Sequence, residues 1–202
     1  MSKPRPVNAK TFAANPNTMG AVDRRVLRTR ESLRLALMQL MVDVGWDGIE
    51  VQTLCELANV GRSTFYQHFL NKEELLLSSL TDLQGVLEQQ AKVMPSAHAG
   101  LRFVPGLFDH VFESQELFRS VIGRRSAQYV QDRFRDMVVQ LVMRERLTEG
   151  SQPWHAKAQA HCIAGALMEL MVWWLGVKRV HKPSDMVTLF AHWSASMRAP
   201  LV

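Results

Sequence analysis

The residues best equipped for chemistry form one run, Arg62-Ser63-Thr64-Phe65-Tyr66-Gln67-His68-Phe69, followed by Asn71-Lys72-Glu73-Glu74. On a helix advancing about 100° per residue, Phe65 and Phe69 fall together with Arg62 toward their flank, Ser63 and Gln67 point the opposite way, and Thr64 and Tyr66 take the two sides. Such a helix buries an aromatic face. Its other face offers hydroxyl, amide, phenol and guanidinium groups, which hydrogen-bond base edges or phosphates. Phe65 and Phe69 are therefore assigned to packing. Tyr66 has two readings, core aromatic or DNA contact; the second is preferred, because burying three aromatics on so short a helix needs an unusually wide apolar face. His68 and Lys72, just past the polar side, can meet a flanking backbone, and the amides opening the next helix can bind a phosphate.

These side chains need a scaffold, and the neighbouring sequence supplies one. Val51–Ala58 reads as a short helix, Asn59-Val60-Gly61 as a tight break, and Arg62–Phe69 as a second short helix. Asn59 tolerates the left-handed conformation, Gly61 is an acceptable N-cap, and Val60 can plug the angle between the helices. Two short helices about a three-residue turn make a helix-turn-helix, whose second helix enters the major groove. Upstream, Leu33, Ala36, Leu37, Leu40, Met41 and Val44 form one apolar stripe; Gly45 ends that helix, and Trp46-Asp47-Gly48 links it to the next. Asn71 opens a longer helix through Leu75, Leu76, Leu80, Leu83 and Leu87.

Beyond Pro95 the pattern stays helical. Helices are expected from Pro105, over Gln115–Ile122 with Ser114 as cap, and over Ala127–Leu147, Trp154–Lys178 and Ser184–Met197. About nine helices, with no alternating strand pattern and no internal repeat, predict an all-α protein. The boundaries drawn are a flexible basic arm over residues 1–22, a helix-turn-helix domain over 23–77, and a second helical domain over 78–202.

Charge is uneven. The chain carries +5 overall, yet residues 1–34 hold eight basic side chains against Asp23 and Glu31, and the remainder is nearly balanced. A cationic arm releases counterions from a polyanion, which makes nucleic acid a candidate partner; the alternative is a solvated tail. Cys55 and Cys162 are far apart, which excludes a disulfide framework or a cysteine-based zinc module and suits a reducing compartment. No leader pattern opens the chain, and the longest near-apolar run, Cys162–Val177, contains Glu169 and is short for a bilayer span. A cytoplasmic protein is expected.

The run from Thr53 to Phe69, continued by Asn71-Lys72-Glu73-Glu74-Leu75, resembles the DNA-binding signature of TetR/AcrR-type transcriptional regulators, and the helix ending Val44-Gly45-Trp46 resembles the first helix of that family. The specific match covers residues 24–77, about a quarter of the chain; the remainder agrees in being helical and of suitable length. The resemblance implies base or nearby phosphate contacts from Arg62, Ser63, Thr64, Tyr66 and Gln67, and backbone contacts from Gln52, His68 and Lys72. Two positions depart from the pattern. Glu50 stands where the family often has threonine, and its carboxylate repels a phosphate; Gly61 replaces the commoner serine cap. Arg24, Arg25 and Arg28 can compensate through the backbone or a minor groove, the alternative being a disordered arm.

One helix-turn-helix reads few base pairs, so a homodimer on a palindromic operator is expected. Its candidate interface is the last two helices, with small residues at Ala160, Ala164, Gly165, Ala166 and Gly176. Apolar area comes from Leu167, Leu170, Met171, Trp174, Leu189, Phe190, Trp193 and Met197. Burial inside the monomer is the alternative. The resemblance further implies a pocket for a small-molecule effector of unknown identity between about residues 78 and 178. Phe103, Phe108, Phe112, Phe118, Tyr129, Phe134, Met137 and Met168 are its candidate lining, though each alone suits plain packing.

No catalytic residue, metal ligand set or cofactor is assigned. The histidines His98, His110, His155, His161, His181 and His192 form no metal or nucleophile motif. A redox role is weak, with Cys55 on an apolar face and Cys162 in a buried run. The reading is a ligand-responsive DNA-binding regulator, a repressor released by its effector. The alternative is a helical protein-interaction module without specific DNA binding, which Glu50, Glu56 and the sparse positive charge around Arg62 allow.

Overall fold

The computed structural model of the protein describes residues 21–94, 100–122, 127–146, 153–177 and 181–196. Residues 1–20 of the arm, His98 and the interface candidate Met197 lie outside the described residues. Among those described the regular elements are α1 (Ala21–Asp43), α2 (Val51–Ala58), α3 (Arg62–His68), α4 (Lys72–Val93), α5 (Val104–Glu113), α6 (Gln115–Val121), α7 (Gln128–Arg146), α8 (Pro153–Gly176) and α9 (Pro183–Ser196). The fold is all-α, as the unbroken helical periodicity requires.

The chain divides into two compact units. The first comprises residues up to Asp82 together with Glu116–Val130; the second comprises Leu83–Gln115 and the residues from Gln131 on. Beside the single boundary expected near residue 77, the first unit also takes in a later segment, Glu116–Val130. Val121, Ala127 and Val130 are buried in the same cluster as Leu33, Leu37, Leu54, Phe65 and Leu75, with Leu117 packed against it. A contact between segments that far apart has no local sequence signature.

In the first unit, the stripe Leu33, Ala36, Leu37, Leu40 and Met41 is buried as its spacing demands, and Trp46, Ile49, Cys55, Phe69 and Leu76 complete the core. Val44, expected on the same stripe, is instead exposed, because α1 ends at Asp43 and the chain turns away. Two glycines make that turn. Gly45 adopts φ +75°, a left-handed conformation that favours glycine, and a side chain on Gly48 would press on the Val44 carbonyl at 2.9 Å. Arg34 is buried and bridges Glu31 and Asp82, the latter at 3.1 Å. Burial lowers the pKa of this guanidinium while the Asp82 carboxylate raises it; arginine stays charged throughout the ordinary pH range.

The second unit buries Phe103, Leu107, Phe108 and Val111 of α5, Val138, Leu141 and Val142 of α7, Ile163, Ala164, Leu167 and Met171 of α8, and Phe190 of α9. The α5 N-terminus has no side-chain cap of its own. Glu145 of α7 takes that role: its carboxylate accepts hydrogen bonds from the Arg102 and Phe103 amides at 2.8 and 3.0 Å. Trp174 meets Phe108 edge-on and Phe112 in a stack, and its indole N–H donates to the His181 carbonyl at 3.0 Å.

Candidate nucleic-acid interface

The elbow between α2 and α3 is closed by backbone bonds. Asn59 adopts φ 52°, ψ 46°; its N–H donates to the Glu56 carbonyl at 3.1 Å, and the Val60 N–H donates to the Cys55 carbonyl at 2.9 Å. Two nested bonds around a left-handed residue satisfy the last carbonyls of α2 and turn the chain sharply. Val60 packs half-buried against the core. Gly61 then enters α3 in an extended conformation, and its carbonyl accepts the Phe65 N–H at 2.9 Å. An open cleft of about 420 Å³ follows the elbow, lined by Gln52, Cys55, Glu56, Asn59, Val60, Gly61 and Arg62. Burial raises the pKa of the Cys55 thiol and Arg62 opposes the shift, which leaves a neutral thiol in the cleft wall at pH 7.

On α3, Phe65 and Phe69 are buried with ring centroids 6.0 Å apart. Tyr66 stands edge-on to Phe65 at 5.3 Å, yet half of it (50%) is exposed: one ring edge anchors it while the phenol faces outward. Arg62, Ser63 and Gln67 are exposed, Thr64 is half-buried, and His68 is half-buried beside Phe69. Gln52 is exposed on α2, its amide donating to the Glu56 carboxylate at 3.0 Å.

The start of α4 differs from the expectation of free amides and an outward lysine. Asn71 Oδ1 accepts the Glu74 N–H at 2.9 Å, and the Glu74 carboxylate accepts the Leu70 N–H at 2.6 Å, so a reciprocal cap occupies this turn. Lys72 folds onto the link between α1 and α2. Its ammonium donates to the Trp46 and Ile49 carbonyls at 2.9 and 3.0 Å and lies 4.9 Å from the Trp46 ring centre. The Asn-x-x-Glu spacing announces the cap in the sequence; nothing local announces the partners of Lys72.

The basic residues of α1 also divide. Arg24, Arg25 and Arg28 are exposed. Arg30, also exposed, sits over the Phe69 ring at 5.1 Å and donates to Ser78 at 3.2 Å, whereas Arg34 is buried. The net charge of the N-terminal segment therefore overstates the cations available to a partner.

The other candidate residues are dispersed. Phe118 and Tyr129 belong to the first unit, where Tyr129 stacks on Trp46 with centroids 5.5 Å apart. Phe103, Phe108, Phe134, Met137 and Met168 are buried in the second unit, and Phe112 is partly exposed at its stack on Trp174. Of the interface candidates, Leu167, Leu170, Met171, Trp174 and Phe190 are core residues of the single chain. Gly165 is exposed, Leu189 half-buried and Trp193 half exposed (50%). Cys162 is exposed rather than buried, and Trp173, not among the candidates, is 48% exposed. A helix apolar on nearly every side does not reveal in its own sequence which side faces inward.

Comparison with known proteins includes a match on the same segment. Residues 34–78 match the family model described as bacterial regulatory proteins, tetR family. The helix-turn-helix-type regulator YxbF of Bacillus subtilis is 43% identical over 56 residues, 27% of this chain and 15% of the relative. The regulator TcmR of Streptomyces glaucescens is 27% identical over 111 residues, 55% of this chain and 45% of the relative. The chain thus spans less than half the length of these curated relatives. A TetR transcriptional regulator structure from Streptococcus agalactiae covers 85% of this chain and 96% of its own with a TM-score of 0.61 at 24% identity, a likeness of fold. The elbow, the aromatic anchor of α3 and residues 34–78 fall on one segment, and that segment matches the DNA-binding part of the tetR family of bacterial regulatory proteins.

Proposed function

We propose that the protein is a DNA-binding transcriptional regulator that inserts α3 into the major groove as a homodimer on a palindromic operator, acts as a repressor, and is released by a small molecule. One observation carries the reading. The polar side of α3 (Arg62, Ser63, Tyr66, Gln67) is exposed, while Phe65 and Phe69 fasten the opposite side to the core. Thr64 and His68 flank that side, and Gln52 with Arg24, Arg25 and Arg28 supplies further donors for backbone phosphates.

The dimer is assigned to the outward sides of α8 and α9, where Gly165, Trp173, Leu189 and Trp193 leave apolar area in contact with solvent. Two such copies give two reading helices about 34–36 Å apart on one face of the duplex. The effector is assigned to the second unit, among Phe103, Phe108, Phe134, Met137 and Met168. It lowers operator affinity only by binding the conformation that does not hold DNA more tightly than the one that does. Among the described residues no helix is long and apolar enough to cross a membrane.

The test is a footprint and titration on duplex DNA carrying the region upstream of the protein's own gene. Expected are saturable binding, a steep salt dependence and two protected half-sites one helical turn, or a multiple of it, apart. Tyr66→Ala should remove specific affinity while leaving the fold intact. Binding no better than to a generic polyanion would favour a helical protein-interaction module instead.

A further inference from the structure

Trp46 lies between two segments that the helix-turn-helix motif does not contain. It is buried in the short link between α1 and α2, and the Ile49 N–H donates back to its carbonyl at 3.3 Å to close the turn that delivers Glu50 and α2. Lys72, at the start of α4, binds the two carbonyls that bracket this turn, those of Trp46 and Ile49, and its charge lies against the indole. Tyr129, from the first turn of α7, stacks on the same indole at an interplanar angle of 15°. An ammonium has three donors; two are used here, and the charge lies over the ring.

We infer that Lys72 and Tyr129 are positioning residues that fix the α1–α2 link through Trp46, and thereby set the placement of α2 and α3 for operator binding, Lys72 making no phosphate contact. The inference rests on the DNA-binding reading above and deepens it. It brings a residue of the Glu116–Val130 segment into the reading head, so operator affinity depends on a part of the chain more than fifty residues beyond the motif.

The two possible roles of Lys72 predict different salt behaviour. A lysine on a phosphate contributes a released counterion, so its loss lowers the slope of log affinity against log salt by about one. A positioning residue lowers affinity at every salt concentration and leaves the slope unchanged. The experiment uses the full chain as wild type, Lys72→Met, Tyr129→Leu and the double variant. Operator affinity is measured per folded molecule across a salt series, and hydrogen exchange is followed at the amides of residues 46–54.

Each single variant is expected to lose roughly five- to tenfold in affinity at unchanged slope, with faster exchange over the link; the double variant should lose much less than the product, since both act through one ring. Tyr129→Leu carries the test if Lys72→Met fails to fold, because Tyr129 is partly exposed and changes no charge. A slope lower by about one for Lys72→Met with unchanged exchange overturns the inference. So does full affinity in Tyr129→Leu, or a double variant whose losses simply multiply. If the wild type shows no specific DNA binding, the functional reading fails; unchanged exchange in both variants would then also refute the hold on Trp46.

Discussion

In the first unit, α3 buries Phe65 and Phe69 and leaves Arg62, Ser63, Tyr66 and Gln67 outside. In the second, α8 buries Leu167, Met171 and Trp174 yet presents Trp173, Cys162 and Gly165 on its other side. Both helices expose part of their surface, but only α3 separates polar from apolar residues sharply enough to declare its orientation. The outward side of α8 mixes those residues with His161 and Glu169, and most of the rest of the helix is apolar, so its composition marks its facing less sharply. A helix with a divided surface carries its orientation with it; a uniformly apolar one receives its orientation from its neighbours.

Adjacent residues on α3 offer the hardest way to break that contrast. Phe65→Ala should cost about 3–5 kcal/mol, the usual loss for truncating a fully buried phenylalanine. Tyr66→Ala should cost less than about 1 kcal/mol in the same denaturant titration, as expected for a side chain half in water. Equal losses would mean that the two rings are equivalent core members and that α3 has no outward face.

The second unit can be probed through His110, a histidine whose pKa is strongly shifted. Burial holds His110 of α5 at a pKa of about 4, below the ordinary imidazole value, so the folded protein keeps it neutral where the unfolded chain takes up a proton. Because the unfolded state binds more protons below about pH 6.5, stability falls as the pH drops through that value. The loss stops growing near pH 4, where the folded state binds the proton as well; it totals about 3 kcal/mol. The checking measurement is the difference in denaturation free energy between wild type and His110→Gln from pH 7 to 4. A constant difference would place His110 in a hydrated environment and loosen the second unit's core.

The smallest effect sharpens the elbow. Gly61 has a φ of −64°, and a side chain there would meet only the Thr64 and Ser63 hydroxyls at 3.8 and 3.9 Å, so serine fits without strain. Gly61→Ser should add a few tenths of a kcal/mol by capping α3, read as a slightly raised thermal midpoint. A lowered midpoint would mean that the elbow needs glycine for conformational freedom.

Legibility followed the range of the interaction. The elbow was readable because Asn59 and Gly61 act on residues within one turn of themselves, and the aromatic anchor because Phe65 and Phe69 share a face at one helical repeat. Val44 was misplaced by the turn that follows α1, which a helical wheel does not anticipate. The contacts of Lys72 and Tyr129 within the chain were not legible from sequence. Their common partner, Trp46, lies 26 residues before one and much farther from the other, and either side chain alone is equally at home on a surface. The interface candidates divide for a complementary reason: hydrophobicity identifies residues that need covering without saying whether their own chain covers them, and Leu167, Leu170, Met171, Trp174 and Phe190 are covered by it.

The bridge made by Arg34 bears on any attempt to transplant the reading head. The family match begins at residue 34 and ends at 78, whereas the carboxylates that neutralise this guanidinium stand at Glu31 and Asp82, just outside on either side. A fragment cut at the match would begin at Arg34 itself and lose both of these carboxylates. A module meant for grafting starts before Glu31 and continues past Asp82.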